Sequence, residues 1–270
     1  MSSPLRNYYY FYAMAGNGLI KWMLNNISRE RLQNLATTFS PVIAWWYRGD
    51  KLEDPIDNRK YKKFLPYGYG KERSNAFSPG TLSLERHRAL YLYLTRKTDV
   101  FTRKISMLHI APERSLGNIF RKQANIEYIS ADLLSPWAMV HFDAHAIPYR
   151  DNTFDVVIAN HILEHVQDDI RVMAEMYRVM KPGGFGVFQV PLDESLAATR
   201  QDPFLRDEVE QNRLFGQKDH VRYYGIDYLK RLESVGFKVE NIHLGDVLPD
   251  IDFERYGVYP GESIPVCYKL

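Results

Sequence analysis

Four short apolar runs, Ile105 to Ile110, Ile126 to Ile129, Phe154 to Ala159 and Phe185 to Val190, recur between residues 104 and 190 with polar segments between them. Each is of strand length, and the segment between the third and fourth has helical periodicity. Ile170, Met173, Met176, Tyr177 and Met180 form its apolar face. Asp168 and Asp169 open that helix, where carboxylates complement the dipole, and Lys181-Pro182-Gly183-Gly184 closes it. Buried strands alternating with helices predict βαβ units, a parallel sheet and right-handed crossovers.

The flanking segments read differently. Residues 1–50 are rich in aromatics, and Leu19, Met23, Ile27, Leu32, Leu35 and Phe39 approximate a helical stripe. The run Tyr8 to Tyr12 either packs on the main body or makes a homodimer or surface contact. Residues 51–81 have turn composition, with Pro55, Pro66, Gly68, Gly70, Pro79 and Gly80. Residues 82–98 read as a helix capped by Thr81 or Ser83. A long polar stretch from Pro191 to about Tyr223 shows few periods and reads as a functional loop. A helix over 226–235 and strands over 237–244 and 264–269 complete the chain, the two strands pairing antiparallel. The expected divisions are 1–50, 51–81 and 82–270.

Composition removes several function classes. Lys plus Arg is 35 and Asp plus Glu is 33, a net charge of +2, which gives no basic stripe for bulk nucleic acid. No apolar run approaches the ~20 residues of a membrane helix, and there is no signal-peptide pattern, so a cytoplasmic protein is expected. The one cysteine, Cys267, excludes an intramolecular disulfide and a thiolate zinc cage.

An open parallel sheet binds ligands beyond the carboxyl ends of its strands. The residues just after the apolar runs are therefore the candidates: His109, Ala111 and Glu113, then Asp132, then Asp143 and Ala144 after a short segment, then Asn160, His161, Glu164 and His165. Asp132 suits the two hydroxyls of a ribose, or it is a helix cap. Asp143 suits an adenine amino group, or it is a turn residue.

The segment Asp143-Ala-His-Ala-Ile-Pro-Tyr-Arg-Asp-Asn-Thr-Phe-Asp-Val-Val-Ile-Ala-Asn-His-Ile-Leu-Glu-His-Val resembles the centre of class I S-adenosylmethionine-dependent methyltransferases. Met180-Lys-Pro-Gly-Gly-Phe-Gly-Val-Phe and Leu232-Glu-Ser-Val-Gly-Phe-Lys-Val are similar to their later segments. The resemblance covers about residues 104–245. It implies a Rossmann-like α/β fold with a seven-stranded, mostly parallel sheet whose last strand is antiparallel. It implies S-adenosylmethionine as cofactor, with His109, Ala111, Glu113, Asp132, Asp143, Ala144 and Asn160 around it. The first loop departs from the family: Ala111, Glu113 and Ser115 stand where glycines are usual. Either Glu113 replaces the missing acid and holds the donor's amino group, or the chain is a catalytically inactive binding module.

A bacterial branch of that family is similar over His109-Ile-Ala-Pro-Glu, and it carries a zinc-ribbon-like insert with two Cys-Pro-x-Cys pairs. Here those pairs read Asp54-Pro55-Ile56-Asp57 and Ser78-Pro79-Gly80-Thr81, so a degenerate ribbon held by packing alone, without zinc, is expected. The same branch resembles Phe215-Gly-Gln-Lys-Asp-His-Val-Arg-Tyr-Tyr-Gly, read either as a substrate-facing wall or as a hydrogen-bond knot. Methyl transfer to a hydroxyl calls for a base near neutral pH, and His161, His165 and His220 are the candidates, with Asp219 as an orienting carboxylate. His161 and His165 have metal-ligand spacing but lack the zincin arrangement, so no metal is expected. The expected acceptor is a small or conjugated molecule, such as a hydroxyl of a sugar or lipid-linked precursor.

Overall fold

The computed structural model describes residues 29–68 and 72–270. The run Tyr8 to Tyr12 lies outside the described residues. The chain divides into two compact units: the described residues up to Arg96 with Leu248–Glu262, and Lys97–Val247 with Ser263–Leu270. Among the described residues, no helix is long and apolar enough to cross a membrane.

The first unit holds α1 (Arg29–Trp46), β1 (Arg48–Asp54), β2 (Arg59–Tyr61), β3 (Leu65–Tyr67), β4 (Arg73–Phe77) and α2 (Glu85–Lys97). β1 pairs with β2 and β3 with β4, both antiparallel. Packing alone does not hold this segment, contrary to expectation. Asp54 is fully buried. Its Oδ1 accepts from the Ile56 amide at 2.9 Å, and its Oδ2 accepts from the Thr81 hydroxyl and, at 3.2 Å, the Ser83 hydroxyl. Arg88, also fully buried, donates to the carbonyls of Ala76, Ser83, Tyr256 and Gly257. A buried charge persists only when such partners replace water.

The second unit contains β5 (Ile105–Ile110), α3 (Arg114–Phe120), β6 (Ile126–Asp132), β7 (Val140–His141), β8 (Phe154–Ala159), α4 (Asp169–Val179) and β9 (Met180–Val187). Beyond them come β10 (Leu192–Asp193), β11 (Arg200–Gln201), α5 (Glu208–Phe215), β12 (Arg222–Gly225), α6 (Tyr228–Ser234), β13 (Lys238–His243) and β14 (Ser263–Tyr268). The main sheet has seven strands in the order β13-β14-β9-β8-β5-β6-β7. β14 is antiparallel to both neighbours, and the pairs from β9 to β7 are parallel. This is the expected Rossmann-like sheet. Its core includes Leu108, Val157, Met173, Met176, Phe188 and Leu232.

Two local expectations are corrected. The basic, proline- and glycine-containing turn after α4 is the start of β9, because Met180 already pairs with Phe154 across a register shift. Gly183 supplies the positive φ of 77° needed there, and its amide bonds the Lys269 carbonyl at 2.7 Å. The stretch after Val190 is also not a bare loop. β12 lies between β10 and β11 in a small sheet, and α5 is capped by Asp207, which accepts from the Val209 and Glu210 amides. Gly216, at φ 79°, ends that helix.

Candidate functional site

The parallel strands β6, β5 and β8 end side by side, so their carboxyl ends bring together residues far apart in sequence. Ala111 follows β5 with φ 51°, a left-handed conformation that costs an alanine roughly 1–2 kcal/mol. Its amide bonds the Ala131 carbonyl at 2.7 Å, which fixes the turn without a glycine. Glu113 precedes α3 but does not cap it with its side chain. Instead Glu113 Oε2 is 2.8 Å from His109 Nε2, and Oε1 accepts from Asn160 Nδ2 at 3.1 Å. His109 is fully buried and also contacts the Tyr128 hydroxyl at 3.1 Å. Asn160 Oδ1 accepts from the Gln189 amide. His109, Glu113 and Asn160 are thus one network that ties the ends of β5 and β8.

Asp132 ends β6, and its Oδ1 accepts from the Leu134 and Ser135 amides at 2.9 and 2.8 Å. No helix directly follows Asp132, so this oxygen closes a turn rather than capping a helix, and the other makes no hydrogen bond among the described residues. Asp143 Oδ1 accepts from the His145 amide and pairs with His145 Nδ1 at 2.6 Å. Burial pushes the Asp143 carboxyl up, but those His145 contacts outweigh it and hold the group below its ordinary range. Ala144 follows it at intermediate burial.

A second cluster follows β8. His161 has φ 54°, strained for a non-glycine residue, and strain of this kind concentrates at functional positions. Its Nδ1 lies 3.1 Å from Glu164 Oε1. Glu164 is 1% exposed. Burial alone would raise its carboxyl, but the hydrogen bond from His161 and the charges of His161, His165 and His220 hold it at about 2. Glu164 is therefore an acceptor only, so His161 carries a proton on Nδ1, and in its neutral form the lone pair lies on Nε2. His165 Nδ1 meets the Asp219 carbonyl at 3.0 Å, and the Asp219 carboxylate is 3.5 Å from the same nitrogen. The His220 ring packs edge-on against His165 with centroids 4.7 Å apart.

Arg222 holds the two strands of chain that make this cluster. It is 1% exposed and donates to the carbonyls of Leu163, Val166 and Gln167. The Val221 amide adds a bond to the Glu164 carbonyl at 2.9 Å. The segment around His220 is thus a hydrogen-bond knot in Arg222 and Val221, and it also presents His220 to Glu164 and His165.

Residues 109–188 match a family model described as a methyltransferase domain. That segment is a methyltransferase domain. It begins at His109 in β5 and ends at Phe188 just beyond β9, so it contains every strand end described above. Within the matched segment Asp132 ends β6 and a tight turn at Ala111 follows β5. The chain is 36% identical over 159 residues to a ubiquinone/menaquinone biosynthesis C-methyltransferase of Klebsiella pneumoniae, covering 57% of this chain and 55% of that protein. It is 45% identical over 58 residues to a demethylmenaquinone methyltransferase of Shouchella clausii, covering 22% of this chain and 25% of that protein. The chain therefore spans about half, or less, of the length of these curated relatives. A solved S-adenosylmethionine-dependent methyltransferase from Archaeoglobus fulgidus is 16% identical, covering 68% of this chain and 94% of that chain with a TM-score of 0.44.

Glu164 stands among the strand-end candidates in the sequence without a specific role, yet it is the hub of the histidine cluster. The available signal was its flanks: Ile162 and Leu163 before it and Val166 after it mark a carboxylate that enters an apolar wall. Gln189 and Tyr128, which complete the network at the other strand ends, carried no local signal.

Proposed function

We propose that this chain transfers a methyl group from S-adenosylmethionine to a hydroxyl-bearing small or conjugated acceptor. The observation that carries the reading is the pairing of His161 with buried Glu164 at the end of β8, inside the matched methyltransferase segment. Asp132, with one carboxylate oxygen uncommitted, is suited to the ribose hydroxyls, and Asp143 to the adenine amino group. The Ala111–Glu113 turn, with Ala144 and Asn160 nearby in the chain order of the site, forms the remainder of the donor wall, and His109 holds Glu113 in place. Bound S-adenosylmethionine supplies an electrophilic methyl group on a sulfonium whose sulfur departs with the bonding electrons.

His161 takes the base role. Glu164 fixes its tautomer, and its side chain remains 27% exposed while that of Glu164 is 1% exposed. The acceptor's hydroxyl proton passes to Nε2, and the negative charge of Glu164 stabilises the imidazolium that forms. His165, His220 and Asp219 stand behind this pair. The relative named for ubiquinone and menaquinone synthesis is a C-methyltransferase, so it supports a quinone-related acceptor without supporting oxygen as the methylated atom.

Calorimetric titration with S-adenosylmethionine, followed by labelled-methyl transfer to phenolic, quinol and sugar acceptors, tests the proposal. Asp132→Ala should weaken donor binding by about 1.5–3 kcal/mol, as loss of hydrogen bonds to a charged acceptor does. Absence of donor binding by the unaltered chain would instead make it an inactive binding module.

A further inference from the structure

The histidine cluster contains donor atoms that base catalysis does not use. Glu164 Oε1 is taken by His161, but Glu164 Oε2 is buried and has no hydrogen-bond partner. His220 is 6% exposed, and its Nδ1 is likewise buried without a partner. His165 differs in an informative way. Its Nδ1 meets a backbone carbonyl, which can only accept, so the proton sits on Nδ1 and the lone pair on Nε2. That Nε2 is 4.0 Å from Glu164 Oε1.

One donor atom from each of Glu164, His165 and His220 lies within 4.8 Å of the other two. A buried polar atom left unpaired costs about 1–3 kcal/mol. Two such atoms, on two residues of one cluster, are costly unless a ligand joins them. No hydrogen bond joins them to each other or to any other described residue. A cation that accepts electron pairs from a carboxylate and neutral imidazoles satisfies both unpaired atoms at once. The outer hydrogen bond of His165 to the Asp219 carbonyl is the arrangement that orients a metal-bound histidine. The position of His220 does not depend on its own ring, because Arg222 and Val221 fasten the adjoining backbone to Leu163 and Glu164.

We propose that Glu164, His165 and His220 bind one divalent transition-metal ion of the zinc class. Two imidazoles and one carboxylate form a three-ligand set that leaves a coordination position for water or an acceptor oxygen. The site uses the neighbours Glu164 and His165 with a residue from the later loop, and so differs from the His161 and His165 pair that sequence spacing suggests. The proposal does not rest on methyl transfer, since metal occupancy is measured without turnover.

The full chain, purified, stripped with chelator and reloaded, should bind one zinc ion per molecule by mass spectrometric metal analysis. Cobalt(II) loading should produce visible ligand-field absorption, and chelator should lower the melting temperature of the loaded protein. Glu164→Gln and His220→Ala should each lower metal affinity by more than the roughly 10–100-fold that loss of an outer partner costs. His243→Ala, at a surface histidine bonded to Glu194, should leave affinity unchanged. Circular dichroism of each stripped variant separates loss of ligands from loss of fold, and Glu164→Gln keeps the side-chain shape. The inference is overturned if the unaltered chain takes up no stoichiometric metal, or if both ligand variants bind it as tightly as the unaltered chain. Absence of metal together with intact donor binding would remove this site alone and leave the methyl-transfer reading standing.

Discussion

Two polar clusters invite comparison, the knot around Asp54 in the first unit and the group around Glu164 in the second. The knot occupies positions whose pattern in sequence resembles a metal ribbon. Its donors are oxygens, and those of Asp54 are consumed by the Ile56 amide and the Thr81 and Ser83 hydroxyls. The group around Glu164 has a weak sequence pattern, yet it includes imidazoles and keeps Glu164 Oε2 and His220 Nδ1 unpaired. In the first unit the hydroxyls of Tyr61 and Ser78 are also buried without partners, but both carboxylate oxygens of the buried Asp54 are bonded, whereas Glu164 keeps one oxygen unpaired. A cluster that serves a ligand leaves atoms for it and bears the cost in the free protein.

The largest effect that sharpens this contrast is on chemistry. His161→Ala should lower turnover by about 10²–10⁴-fold while donor affinity stays nearly unchanged. Retention of full turnover on an identified acceptor would leave the Glu164 group without a base and make the transfer a matter of positioning alone.

The next effect is on stability. Asp54→Ala removes an acceptor shared by three donors, and denaturant unfolding should show a loss of about 2–4 kcal/mol. In metal-free protein His220→Ala should cost less, about 1–2 kcal/mol from lost packing of its buried ring against His165, because Nδ1 has no hydrogen bond to lose. The reverse order would break the comparison, since it would make the histidine cluster the structural one.

The smallest effect depends on pH. Asp57 is pushed up to about 6, first by burial and then by the negative charge of Asp54, against the pull of the Arg59 amide and guanidinium and the Tyr61 hydroxyl. Its folded pKa lies above the unfolded value, so its stabilising contribution is complete below pH 4 and is lost as pH rises through about 6. Asp57→Asn should therefore stabilise the protein near pH 7.5 by about 1 kcal/mol, after allowance for partial exposure, and by nothing near pH 4. Urea unfolding at the two pH values measures it, and an equal gain at both would separate the effect from ionisation.

Much of the fold is legible from residue order. The runs at 105–110 and 154–159 are strands to the residue, because apolar side chains of strand length have few alternatives in water. The start of β9 was not legible, since Lys181-Pro182-Gly183-Gly184 carries local turn chemistry and only pairing with Phe154 overrides it. The helix Glu208–Phe215 was also obscured, because its exposed Val209 and Leu214 blur any apolar stripe.

The sequence by itself determined the alternation of elements, the parallel sheet that follows from it, and the strand ends at which Asp132, Asn160 and His161 stand. These are local consequences of apolar spacing and of chain direction. Tertiary structure alone decided which polar atoms are used up and which remain available. Asp219 and His220 lie more than fifty residues beyond Glu164 in the chain, and no local rule brings them to it. Arg222 does so, by spending its buried guanidinium on the carbonyls of Leu163, Val166 and Gln167. Whether a carboxylate is satisfied depends on every group that folding places within hydrogen-bond reach, and that is a property of the packed chain rather than of its order.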